Sequence, residues 1–103
     1  MKVKPMKLFL PHIHYTIHIR KMKSVPAELP NAKSYAEELD ENNCAIYLTT
    51  KDSPPSIAHE IIHALKYMCI RRDMEFTKES EHMAYIMQYL MCKILGYEVV
   101  PPL

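Results

Sequence analysis

The sequence predicts a small α+β domain, a three-stranded antiparallel or mixed sheet followed by two helices. Three observations lead there. Residues 13–19 and 44–48 alternate apolar and polar with period 2, the signature of strands with one buried face. Residues 54–72 and 78–96 are instead apolar nearly all round over long runs, as buried helices are. Breakers separate the pieces: Pro26 and Pro30 in the first half, Ser53-Pro54-Pro55 between the halves, and Gly96 near the end. A length of 103 residues suits one domain, 1–103, with a sheet region over 6–50.

Within residues 6–23, Ile13, Tyr15, Ile17 and Ile19 share one face of a strand. His12, His14, Thr16 and His18 share the other, which reads as its wet face rather than as a second metal site or a wall of the centre described below. Pro11 interrupts the run, so residues 6–10 form a separate short piece or an edge segment. Residues 24–33 read as a loop. Cys44, Ile46 and Leu48 then line one face of a strand over 44–50, and the turn cluster 40–43 pairs it with 33–39 as a hairpin. By propensity alone, 32–40 is also compatible with a short helix.

Ser53 is a suitable N-cap for a helix starting at Pro54, because proline fits a first turn whose N–H groups lack helical partners. This helix extends to about residue 70, with Arg71 and Arg72 as solvent-facing charges at its carbonyl end. After a connection over 73–77, Thr77 is placed to cap a second helix over 78–95, with Glu79 in its first turn and Gly96 as its C-cap. Between Ala84 and Leu95 only Gln88 and Lys93 are strongly polar, which predicts self-association through this helix. Residues 97–103 read as an extended tail.

Composition narrows the function classes. Net charge is +1 with no long basic run, so neither nucleic acid nor a membrane surface is an expected partner. No stretch approaches a membrane span, and the first ten residues lack the apolar core and cleavage site of a signal peptide. Cys44, Cys69 and Cys92 are odd in number and widely spaced, which suits free thiols in a reducing, cytoplasmic setting. A single glycine excludes phosphate-cradling glycine-rich loops.

The chemistry sits in Ile57-Ala58-His59-Glu60-Ile61-Ile62-His63-Ala64-Leu65. His59 and His63, at i and i+4, lie on one helix face and can share an ion. Glu60 is rotated about 100° from His59, which places it beside the ion as a base. The bland alternative is two ordinary helix histidines and a solvated Glu60. Against it, the apolar flanks predict a buried helix, on which imidazoles and a carboxylate need partners. Catalytic zinc takes three protein ligands. Downstream candidates are Glu79, Glu81 and His82, since Asp73 and Glu75 follow the helix too closely. Glu81, Ala84, Tyr85 and Gln88 share a face, and the small Ala84 would let two helices approach there.

His59-Glu60-x-x-His63 followed by Glu81-x-x-Ala84-Tyr85 resembles the gluzincin metallopeptidases, above all their minimal versions, the minigluzincins and the short HExxH proteins of phages and prophages. No Gly follows His63 and no third His stands at the metzincin spacing. The resemblance implies a zincin-like fold with an active-site helix and a "glutamate" helix, Zn2+ held by His59, His63 and Glu81, and hydrolysis of peptide bonds with Glu60 as general base. It leaves Tyr85 or His82 as a donor to the reacting carbonyl. If the strand over 44–50 is a sheet edge, an extended peptide or unfolded-protein substrate can pair with it. The alternative is a catalytically silent or latent zinc-binding module, a structural or interaction protein. In the latent form residues 99–103, which include Pro101 and Pro102, or a neighbouring protomer cross the site.

Overall fold

The computed structural model describes residues 4–22, 34–49 and 52–97. Four strands, β1 (Met6–Leu10), β2 (Tyr15–Lys21), β3 (Tyr35–Asp40) and β4 (Asn43–Leu48), precede two helices, α1 (Pro54–Arg71) and α2 (Ser80–Leu95). The strands form one mixed sheet in the order β1-β2-β4-β3, with β2 and β4 parallel and the other two pairs antiparallel. The α+β class is as expected, but the sheet has four strands rather than three. Pro11 is the reason: it ends β1, and the chain reverses over 11–14 with His14 in the left-handed region at φ 54°. Residues 6–10 thereby pair with β2 from Met6↔Ile19 to Leu10↔Tyr15.

The β3–β4 hairpin forms where a short helix competed with it. Asp40 Oδ1 accepts bonds from Asn42 N at 2.8 Å and Asn43 Nδ2 at 2.9 Å, so the turn is held by its own side chains. The strand leading to the motif is not an edge, so the condition for peptide pairing with it is not met. β4 lies between β2 and β3. Cys44, Ala45, Ile46 and Leu48 are all fully buried, so β4 is covered on both faces, as interior strands are. Burial also pushes the Cys44 thiol up to about 11, which makes it a packing atom and not a nucleophile. The outer strands are β1 and β3. The predicted loop 24–33 and the tail beyond Tyr97 lie outside the described residues.

α1 starts as its sequence dictates: Ser53 Oγ accepts from Ser56 N at 3.4 Å, with Pro54 and Pro55 opening the first turn. Ile57, Ile61, Ala64, Leu65 and Met68 share one core with Ile17, Ile19, Ile46 and Leu48 of the sheet. Each large side chain removed from water there contributes roughly 1.5–3 kcal/mol. The two arginines at its end do not face solvent idly. Arg71 pairs with Glu38 of β3, its Nε 2.9 Å from Oε2. Arg72 donates to Ile13 O and His14 O at 2.8 Å, to Glu41 O at 3.1 Å and to Asn42 Oδ1 at 2.6 Å. One guanidinium thus ties both hairpin turns to the end of α1. Its planar fork of five donors is what permits this, and a lysine has no equivalent.

α2 begins at Ser80, two residues later than expected, and Thr77 does not cap it; the cap position is Glu79, whose side chain makes no capping bond. Gly96, at φ 80°, closes it as anticipated. The buried stripe is Met83, Ile86, Leu90 and Ile94. Glu81, Ala84, Tyr85 and Gln88 occupy the exposed side, so they are not the contact face with α1. Four bulky apolar residues displace more water than one alanine flanked by polar groups, and burial follows area. No helix among the described residues is long and apolar enough to cross a membrane.

Two predictions follow from these ties. Arg72→Ala should cost about 2–3 kcal/mol, given roughly 1.5–3 kcal/mol for hydrogen bonds to a charged group and partial rehydration of the freed carbonyls. Urea denaturation measures it, and Arg71→Ala should show a clearly smaller loss because that pair is exposed. The second concerns acid. The Arg71 bond holds the Glu38 carboxyl below its ordinary 4.5, and the Asn43 side chain, then Asn42 N–H, hold Asp40 below its ordinary 3.8. Their stabilisation is therefore complete above the ordinary values and lost as pH falls through the lowered ones. The urea midpoint should drop between pH 6 and pH 3, and drop less in Glu38→Gln.

Candidate metal centre

The helical period distributes the motif over two sides of α1. His59 and His63 are exposed, whereas Glu60 retains 5% of its accessible surface. The expectation of a helix buried all round is thus corrected: a solvent-facing stripe runs through His59, His63, Lys66 and Ile70, the last 75% exposed. One sheet and one helix cover only part of a cylinder.

His59 Nε2 and His63 Nε2 lie 3.2 Å apart, with their rings edge to face. That separation suits a shared ion. With Zn–N bonds of about 2.0–2.1 Å, the two nitrogens subtend about 100°, close to a tetrahedral angle. A carboxylate oxygen of Glu60 completes a group whose ligand atoms all lie within 4.8 Å of one another. Among the described residues this is the one such group of three or more His, Cys, Asp or Glu side chains. Two imidazoles and a carboxylate at this spacing could hold a metal ion.

The side of α1 that carries Glu60 runs along β3. Ser34, immediately before β3 and 7% exposed, donates its hydroxyl to Glu60 Oε2 at 2.8 Å. One step on, Tyr67 Oη approaches Ala36 O at 3.5 Å, and further along Arg71 meets Glu38. Strand and helix therefore advance together from the motif to the end of α1. Burial first, and then neighbouring groups including Glu38 and Glu60, raise the Tyr67 hydroxyl above its ordinary value, so it remains a proton donor at neutral pH. Ser34 and Tyr67 escape sequence reasoning for different reasons. Tyr67 stands at i+4 from His63 and i+7 from Glu60, a signal that periodicity carries. Ser34 is 26 residues from Glu60, and nothing local marks it.

The remaining candidates do not join the group. Glu81 and Tyr85 are exposed on α2, Tyr85 at 38%. Glu79 and His82 are half-buried and approach each other at 3.9 Å. The start of α2 is anchored instead beside the last turn of α1, where Cys69 Sγ and Met83 Sδ are 3.7 Å apart. Cys69 lies six residues past His63, about 9 Å along the helix axis. Nor do the strand histidines reach the motif: His12 and His14 are exposed at the β1–β2 turn, and His18 Nε2 bonds Asn43 Oδ1 at 2.8 Å. No protein-family model, no curated protein and no solved structure matches this chain.

Proposed function

We propose that this chain is a zinc-dependent metallopeptidase of minimal, zincin-like build. The observation that carries the reading is the open His59–His63 nitrogen pair beside a buried, hydrogen-bonded Glu60. Two solvent-facing imidazoles alone suit any divalent ion. A buried carboxylate next to them is an expense that a purely structural site has no use for. Bound zinc supplies a Lewis acid that lowers the pKa of water to about 7 and polarises a carbonyl. Glu60 then serves as the base that accepts the proton from water and passes it to the leaving amine nitrogen. Tyr67, held protonated, only loosely bonded to Ala36 O and one turn beyond His63 on the same helix, is a candidate donor for a developing oxyanion beside Tyr85.

The substrate in this reading is an extended peptide or unfolded segment. β3 is the outer strand beside the motif, and a peptide added to it makes main-chain bonds that ask little of its side chains. This replaces β4 in that role. His59 and His63 hold the metal, and the resemblance to gluzincins nominates Glu81 as third ligand. Glu81 makes no hydrogen bond or ion pair among the described residues, so no existing contact opposes its recruitment. Its approach needs the first turn of α2 to shift along α1. The second reading, a silent or latent zinc-binding module, is favoured by Glu81 lying outside the group.

Zinc content and cleavage of a casein-like substrate separate the two. Wild type and Glu60→Ala should each bind about one zinc, with cleavage at least ~100-fold lower in the variant. Zinc in both with cleavage in neither would establish the module reading. For the ligand set, Glu81→Ala should weaken zinc at least ~100-fold in competition with a chelator, while Glu79→Ala and His82→Ala stay near wild type. Unchanged affinity in Glu81→Ala would remove it from the site.

A further inference from the structure

Glu60 has two oxygens with different surroundings. Oε2 accepts the Ser34 hydroxyl at 2.8 Å between two residues that are 5% and 7% exposed. Oε1 accepts no bond among the described residues. It is also not one of the sealed, unpartnered side-chain atoms, which are Tyr15 Oη and Asp52 Oδ1. One oxygen is therefore pinned while the other is unbonded and not sealed from solvent, and a carboxylate oxygen of Glu60 lies within 4.8 Å of the histidine ligand atoms.

We infer that Ser34 is a positioning residue: its hydroxyl holds Glu60 by Oε2 so that Oε1 is the oxygen presented to the reacting water. The inference rests on the peptidase reading above and adds to it a residue that no motif contains. A glutamate side chain has three rotatable bonds, and a base that samples several rotamers spends little time in the productive one. A bond from a neutral hydroxyl to a carboxylate at this length is short enough to select one orientation. Ser34 is itself held, because it leads directly into β3, and β3 is tied to α1 twice more, through Ala36–Tyr67 and Glu38–Arg71. The strand proposed to receive the peptide and the hydroxyl that orients the base are thus one continuous segment.

Three variants of the zinc-loaded chain, Ser34→Ala, Ser34→Thr and Glu60→Ala, test this with casein-like peptide kinetics, alongside crystal structures of metal-free wild type and Ser34→Ala. Ser34→Ala should lower kcat roughly 10- to 100-fold, with KM and zinc affinity within about twofold. Ser34→Thr, which keeps the hydroxyl, should recover most of the loss. In the crystal, the Glu60 carboxylate should leave its wild-type orientation in Ser34→Ala. If Ser34→Ala does not fold, Ser34→Cys replaces it, since a thiol of similar size donates only weakly. Wild-type kcat and an unmoved Glu60 in the alanine or cysteine variant would overturn the positioning role while an inactive Glu60→Ala left the peptidase reading standing. A Glu60→Ala as active as wild type would remove both.

Discussion

A single helix that can bury only part of its circumference governs this structure. α1 carries apolar residues on nearly every side, yet the chain has one four-stranded sheet and one further helix to cover them. The sheet takes Ile57, Ile61, Ala64 and Met68, and α2 meets the helix end at Cys69. β3 flanks the side bearing Glu60, Tyr67 and Arg71. What is left over is the stripe with His59 and His63. The exposure of the two imidazoles is thus a consequence of domain size, and the same shortage of cover that strands Ile70 in water leaves the nitrogen pair accessible.

The placement of β3 follows from the same constraint. A carboxylate at 5% exposure needs a donor, and the sheet interior offers only paired backbone. An outer strand, whose far side is free of pairing within the sheet, is able to approach the helix flank and lend a side chain. β3 and the residue before it meet α1 at three successive points, through the Ser34 hydroxyl, the Ala36 carbonyl and the Glu38 carboxylate. The parallel β2–β4 contact is what makes β3 outer: with β4 drawn into the middle beside β2, its hairpin partner is pushed to the rim. On the second face of β4, Ala45 is buried between Asn43 and Tyr47, whose polar groups bond His18 of β2 and Glu37 of β3.

Much of this was legible from residues that act locally. The period-2 run of β2, the Asp40–Asn43 turn, Ser53 with its two prolines, and Gly96 each impose their geometry on neighbours a few positions away. Pro11 marked the β1–β2 break, although not that the severed piece would become a fourth strand, because strand count depends on whether a partner is present. The pairing of His59 with His63 was legible because it lies within one helix turn. Ser34, the four-fold anchoring by Arg72 and the order of strands were not. Each is a contact across 26 or more residues, chosen by the whole packing rather than by any local preference. The face that α2 turns inward was misread for a related reason. Helical spacing fits the stripe 81-84-85-88 as well as 83-86-90-94, and only the burial of bulky groups decides between them.

That misreading bears directly on the third ligand. Glu81 is exposed because Met83 and Ile86 claim the inner face, so a simple rotation of α2 that brings Glu81 inward would expose about as much apolar surface as it conceals. Translation along α1, unlike rotation, keeps that inner face turned inward. Met68, Met83, Met87 and Met91 lie in or against the core. Methionine is unbranched and repacks with little loss, but Ile86, Leu90 and Ile94 fill the rest of the buried stripe of α2 and fix its seat more firmly. His59, His63 and Glu60 are set by α1, whose buried face is shared with the sheet, and any approach of Glu81 to them depends on how α2 is seated.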